Sequence, residues 1–85
     1  MEEFFVDHIS DHRLIEGSPD PASTNSYVFL VAWSGYPNQD SWEPYRNLRR
    51  NPSLHEYILN TPSLKPIHAY IKRYIAKLEK EVEKT

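Results

Sequence analysis

The chain has 85 residues, a net charge of −2 and no cysteine. This length accommodates one small domain with a thin stability margin, and the lack of cysteine excludes disulfide bonds and thiolate metal sites. The longest apolar run, residues 27–33, is far shorter than the ~20 residues that cross a bilayer, and the acidic start at Glu2 and Glu3 is unlike a secretory signal. We therefore expect a soluble protein of a reducing compartment, with no membrane partner.

The charge is divided unevenly along the chain. Residues 1–43 carry eight acidic side chains and one basic, a net charge of −7, whereas residues 44–85 carry nine basic and four acidic, a net charge of +5. The acidic half would attract a basic peptide and repel nucleic acid, and the basic half would do the opposite. The alternative is that both are ordinary solvated faces.

The first predicted element is a strand over residues 3–10, with Phe4 and Val6 on one face and a break in alternation that suggests a bulge. Residues 17–26 contain a glycine, two prolines and no large apolar side chain. This composition predicts a long hairpin loop.

A second strand is predicted at residues 27–33, where apolar, β-branched and aromatic residues occupy both faces, as in a central strand covered on both sides. Residues 34–40 have the composition of a turn, and a third strand at 41–43 would end at Pro44. Trp42 on this strand is expected to pack in the core, because tryptophans on strands of small domains usually supply packing area.

Two helices are predicted in the second half of the chain. Asn51 is a suitable N-cap before a proline, and the first helix would end near Asn60. A second, amphipathic helix over roughly 66–83 has apolar residues spaced by three or four, with tyrosines facing inward. Strands followed by helices predict an α+β domain, a small antiparallel sheet with helix packed across one face or end.

Three aromatic residues, Phe4, Trp33 and Tyr36, stand in or near two stretches predicted to form adjoining strands. Ring faces turned toward one point attract a quaternary or alkylated ammonium through their quadrupoles. The sequence therefore predicts a binding site for methylated lysine.

The stretch FLVAWSGYPNQDSWEPYRNL, residues 29–48, resembles chromodomains, and EEFFVDHISDHR, residues 2–13, is similar to the opening segment of that family. The resemblance implies a three-stranded curved antiparallel sheet with a C-terminal helix, followed here by an additional amphipathic helix. It also implies a nuclear protein that binds a histone H3 tail carrying di- or trimethyl-lysine. The chromodomain would cover residues 1–60, and residues 61–85 would be a C-terminal helical extension.

The resemblance also assigns residues to the binding site. The tail would add as a strand between the segment around Glu3–Asp7 and the stretch around Glu43–Asn47. The methyl-lysine cage would be Phe4, Trp33 and Tyr36, with Asp40 at its rim. The peptide-binding residues would be Glu3, Val6, Asp7, Glu43 and Asn47.

The turn between Tyr36 and Trp42 is one residue shorter than in chromodomains of the heterochromatin-protein type, and the first cage position is Phe where Tyr is commoner. The phrases DHR and WEPYRNL, with the second helix, also resemble chromodomains at the ends of retroelement integrases. That alternative implies a domain that targets integration, with protein or nucleic-acid contacts through its C-terminal helix.

Two further readings concern the basic half of the chain. Weak nucleic-acid contact would use its arginines and lysines with Tyr70 and Tyr74 between them. A dimerisation seam would use Ile67, Tyr70, Tyr74 and Leu78, so the chain is expected to be a monomer or weak dimer.

Nothing in the sequence indicates catalysis. His8 and His12 are four residues apart, but they lack a third ligand at a telling distance and fall in or just after a predicted strand. We expect no enzyme activity, no catalytic residue, no metal and no cofactor.

Overall fold

The computed structural model describes residues 4–17 and 20–83. One antiparallel sheet contains three strands in the order β1-β2-β3, and helices follow it in the chain. This α+β architecture confirms the predicted curved sheet with C-terminal helix. The strands are β1 (Val6–Leu14), β2 (Tyr27–Trp33) and β3 (Ser41–Pro44), and the helices are α1 (Tyr45–Leu48), α2 (Pro52–Leu59) and α3 (Lys65–Glu83).

Strand β1 extends to Leu14, four residues beyond the predicted end at residue 10. Its pairing with β2 shifts register between Val6 and His8 and again between Ile9 and Asp11. Each irregularity interrupts the alternation of apolar and polar residues. The polar run that follows therefore has the composition of a loop, although it continues the ladder with β2.

Strand β2 is central in the sheet, as predicted, but its two faces differ. Tyr27, Phe29 and Val31 are buried, whereas the residues between them are half-buried. The second face is only half-buried, so the prediction that both faces of β2 are covered is wrong.

Trp42 is not a core residue, in contrast to the prediction. Its side chain is 36% exposed, and it pairs across the sheet with Leu30 rather than with the buried positions of β2. The Arg13 guanidinium lies 4.3 Å from the centroid of the indole ring. A cation–π contact thus partly covers Trp42 on the open face of the sheet.

The predicted helix start at Asn51 is confirmed. The Asn51 side chain accepts a hydrogen bond from the Ser53 backbone N–H at 2.8 Å, and Pro52 occupies the first helical position. Helix α3 begins at Lys65, within one residue of the predicted start. None of the helices in the described ranges is long and apolar enough to cross a membrane.

A single hydrophobic cluster joins the sheet to both long helices. Phe29 of β2 packs in it with Leu54 and Ile58 of α2 and with Ile67 and Ile71 of α3, all fully buried. The cluster contains residues from both the predicted domain, residues 1–60, and the predicted C-terminal extension, residues 61–85. Helix α3 is therefore part of the core that holds the sheet in place.

Tyr45 at the start of α1 buries a hydroxyl group that has no hydrogen-bond partner in the described part of the chain. Burial is the main cause that raises the pKa of Tyr45 to about 12; Tyr70, whose hydroxyl approaches that of Tyr45 without the geometry of a hydrogen bond, and Tyr74 raise it further. An unpartnered buried hydroxyl opposes folding, because its bonds to water are lost without replacement.

We predict that Tyr45→Phe stabilises the protein by about 1 kcal/mol, because the uncompensated hydroxyl is removed. The matched control is Tyr27→Phe, which should cost about 1 kcal/mol, because the Tyr27 hydroxyl donates a hydrogen bond to the Pro21 carbonyl oxygen at 2.7 Å. Urea unfolding at neutral pH measures both changes. If Tyr45→Phe lowered the free energy of unfolding as much as Tyr27→Phe, the Tyr45 hydroxyl would not be unpartnered.

The stability gained by Tyr45→Phe should depend on pH. The pKa of Tyr45 is 10.0 in its ordinary state and about 12 in the fold, so the unfolded chain loses this proton first. Ionisation of Tyr45 therefore leaves the free energy of unfolding unchanged below pH 10 and lowers it as the pH rises toward 12. Tyr45→Phe should unfold at a higher pH than the parent in an alkaline titration followed by circular dichroism.

We predict that Trp42→Ala folds and loses only about 1–2 kcal/mol, because part of the ring already contacts water. Phe29→Ala should lose about 3–5 kcal/mol, because it opens a cavity at a fully buried position. Cooperative urea unfolding of both variants distinguishes the positions. An unfolded Trp42→Ala protein would show that this indole carries core packing after all.

Candidate functional site

The aromatic rings of Phe4, Trp33 and Tyr36 lie together at the end of the sheet where β2 stops. The Phe4 ring centroid is 6.2 Å from that of Trp33, with the rings 73° apart, and 5.3 Å from that of Tyr36, with the rings 43° apart. A cation within about 6 Å of a ring centroid is attracted to the ring face. At these separations the Phe4 ring is within ring–ring contact distance of both Trp33 and Tyr36, and the three side chains form one aromatic cluster.

Phe4 reaches this position although it precedes β1. The backbone N–H of Ser34 donates a hydrogen bond to the carbonyl oxygen of Phe5 at 2.8 Å, which extends the β1–β2 ladder past Val6. The Phe4 side chain remains 56% exposed. Its ring therefore lines an accessible site instead of filling the core.

Tyr36 is positioned by a tight turn after β2. The backbone N–H of Tyr36 donates to the Trp33 carbonyl oxygen at 3.1 Å, and Gly35 between them has φ of +83°. This left-handed conformation favours glycine. Asn38, with φ of 65°, continues the turn in a conformation that asparagine tolerates better than most residues.

The Trp33 indole is fixed by a side-chain hydrogen bond. Its Nε1–H donates to the Ser41 hydroxyl oxygen at 2.8 Å, so β3 holds the orientation of a ring that is carried by β2. Sequence reasoning did not identify Ser41. Its only signal was its place in the third strand, immediately before Trp42.

The rings line an open cavity of about 300 Å³ together with Gln39. We call this the aromatic cage. Asp40, predicted at its rim, instead lines an adjacent cleft of about 410 Å³, which shares Trp33 and Tyr36 with the cage. The fourth side chain of the cage is therefore a neutral amide, which the sequence motif did not reveal.

Asp7 also lines the adjacent cleft, so two carboxylates lie beside the cage. The Oδ2 atom of Asp7 is 2.8 Å from Nδ1 of His8, and both side chains are exposed. Exposed carboxylates attract cations over several ångströms and are screened by salt. This side of the molecule is suited to a positively charged ligand.

The remaining predicted peptide-binding residues lie on two strands and a helix. Val6 is half-buried and pairs with Trp33 across the sheet. Asn47 donates from Nδ2 to Glu43 Oε1 at 3.3 Å, which joins two residues assigned to the same edge of the tail. Glu3 lies outside the described residues.

The two histidines of β1 have separate surroundings. His12 hydrogen-bonds through Nδ1 to the Tyr57 hydroxyl at 2.8 Å and through Nε2 to the Ser63 hydroxyl at 3.2 Å, which links β1 to the helices. Among the residues that the structure describes, no group of three or more His, Cys, Asp or Glu side chains could hold a metal ion.

A larger groove of about 670 Å³ lies between α2 and α3, lined by Leu59, Ile75 and Leu78 with charged residues at its edges. The surface of the groove is mainly apolar, and its polar lining residues, Arg50, His55, Glu56 and Glu79, carry charges of both signs. The aromatic cage is the better candidate, because its side chains share one chemical preference.

Searches against protein-family models, curated proteins and solved structures give no significant match to this chain. Membership of the chromodomain family therefore stays a prediction, drawn from the motif residues named above.

We predict that the indole proton of Trp33 exchanges with solvent more slowly than that of the half-exposed Trp42, because Ser41 accepts its hydrogen bond. Ser41→Ala should raise the Trp33 exchange rate toward the Trp42 rate in the folded protein. Nuclear magnetic resonance of the two indole protons measures both rates. Equal rates in the parent protein would contradict the hydrogen bond as the means of fixing the ring.

Proposed function

We propose that this chain is a chromodomain-like chromatin-binding module that captures a methylated lysine of a histone H3 tail in the aromatic cage. The observation that carries the proposal is the convergence of Phe4, Trp33 and Tyr36 around one accessible cavity. A histone ligand implies a nuclear location.

The chemistry of the cage favours methylated over unmodified lysine. An unmodified ammonium is strongly hydrated and loses that hydration when it enters an aromatic site. Methyl groups spread the charge and weaken the hydration, while each cation–π contact contributes roughly 0.5–2 kcal/mol. The difference between the two ligands therefore comes mainly from the cost of removing water.

The tail would bind as an extended strand. Strand β1 is an edge of the sheet, and the residues before it are placed next to the end of β2 by the Phe5–Ser34 hydrogen bond. Backbone pairing at a sheet edge supplies affinity with little demand on sequence, and side-chain pockets supply specificity. The resemblance to chromodomains assigns Glu43 and Asn47 to the other side of the proposed path.

The charge of the first half of the chain suits the same ligand. Histone tails are basic, and the −7 charge of residues 1–43 would speed their association in a salt-dependent manner. Asp7 and Asp40 beside the cage place two of these carboxylates near the proposed lysine site.

Trp33→Ala and Tyr36→Ala should each lower the affinity for a trimethyl-lysine H3 peptide at least tenfold, because each removes a cage wall and its cation–π contact. Isothermal titration calorimetry with methylated and unmodified peptides of the same sequence measures the effect. The unmodified peptide should bind the parent protein weakly.

Trp42→Ala is the matched control, because it removes a tryptophan from the neighbouring strand outside the cage. It should keep the peptide affinity of the parent within about twofold, since the proposed ligand does not contact it. Parent-like binding by folded Trp33→Ala and Tyr36→Ala would refute the cage.

A further inference from the structure

A second aromatic site lies on helix α3, away from the residues of the cage. Tyr70 is 43% exposed, although helical spacing predicted that it faces inward. It lines a cleft of about 270 Å³ with Arg73, Tyr74 and Lys77, which we call the Tyr70 cleft. Two tyrosines and two cations therefore share one exposed face of α3.

The rings of this cleft are held by buried neighbours. Tyr70 packs against Tyr45 with ring centroids 6.4 Å apart, and Tyr74 packs against His55 with centroids 5.8 Å apart. Tyr45 and His55 are both buried, so they provide a rigid support beneath α3. A supported ring loses little conformational entropy when it stacks on a flat ligand.

The cleft itself contains two cations, Arg73 and Lys77, and no carboxylate. Residues 44–83 contain eight Arg or Lys residues and four acidic residues, three of which, Glu79, Glu81 and Glu83, follow Lys77 on α3. The ion pairs of the described residues join Asp7 to His8 and Arg50 to Glu81, so Arg73 and Lys77 have no carboxylate partner there. Their charges remain available to an anionic ligand.

Arg49 adds a cation on the α1 side. Burial is the main cause of the raised pKa of Tyr45, and the nearby Arg49 guanidinium opposes it, which puts this charge close to the same tyrosine cluster.

We propose that the Tyr70 cleft binds single-stranded nucleic acid, with Arg73 and Lys77 contacting phosphates and the Tyr70 ring stacking on a base. Single strands combine the two features that the cleft selects, a dense negative backbone and free aromatic faces. A duplex offers the same charge but keeps its bases stacked on each other. An acidic peptide offers charge without flat faces, so it satisfies only half of the site.

The proposal is independent of histone binding, because the Tyr70 cleft and the aromatic cage share no residue. The Tyr70 cleft belongs to the basic half of the chain, and the aromatic cage belongs to the acidic half. One chain would therefore contact both a protein tail and a nucleic-acid strand.

The test uses the full chain and fluorescently labelled single-stranded oligouridine and oligothymidine of about 12 nucleotides, within the range of known site sizes. Fluorescence anisotropy is measured over a series of salt concentrations. Tyr70→Ala should weaken binding at least fivefold, whereas Tyr70→Phe should bind like the parent, because stacking needs the ring and not the hydroxyl.

The double variant Arg73→Ala/Lys77→Ala should reduce the slope of log affinity against log salt by about 1.4, the value for two lost phosphate contacts on a single strand. The matched control is Lys72→Ala, an exposed cation of the same helix outside the cleft. Its affinity should change less than twofold. Trp33→Ala, with a damaged cage, should bind the oligonucleotides as the parent does.

Failure of the parent chain to bind either oligonucleotide would overturn the proposal. It would also fail if Lys72→Ala lost as much affinity as Tyr70→Ala, or if a duplex or polyglutamate bound as tightly as the single strand. Either of the last two results would show that α3 attracts anions by its charge alone, without a specific contribution from the cleft. Thermal unfolding of each variant confirms that the comparison is made between folded proteins.

Discussion

The hydrogen bond between the Ser34 N–H and the Phe5 carbonyl oxygen is the constraint on which the candidate site depends. Phe4 precedes the first strand, and an aromatic residue at such a position has no packing that would fix it. Pairing of its neighbour with the end of β2 brings its ring to 5.3 Å from Tyr36 and 6.2 Å from Trp33. The core on the other side of β2 keeps that strand in place, so the cage draws its rigidity from the fold.

Much of the fold follows from local sequence signals. Three local signals each favour the structure that tertiary packing then stabilises. They are the apolar run of β2, the Asn51 cap and the helical spacing of apolar residues in α3. The end of β1 was missed because two bulges break its alternation and polar residues continue the strand. Trp42 and Tyr70 were expected inside but are partly exposed, because residue type and spacing do not say which face of a small sheet or helix the rest of the chain covers.

The sequence predicts the aromatic residues of the candidate site but not the contacts that hold them in position. The motif predicted that Phe4, Trp33 and Tyr36 share one site, and in the structure all three line one cavity. Gln39 rather than Asp40 lines that cavity, and this depends on turn geometry that the motif does not encode. The two ends of the chain also separate by charge, which suits a basic ligand at the cage and an anionic one at α3.

In the proposed function, the cage prefers a poorly hydrated cation because its rings attract positive charge. The direct measurement compares the trimethyl-lysine H3 peptide with a peptide in which carbon replaces the quaternary nitrogen, so that shape is kept and charge is lost. The cation–π account predicts at least tenfold tighter binding of the charged peptide by calorimetry. Equal affinity of the two peptides would contradict it, because the cavity would then act only as an apolar pocket.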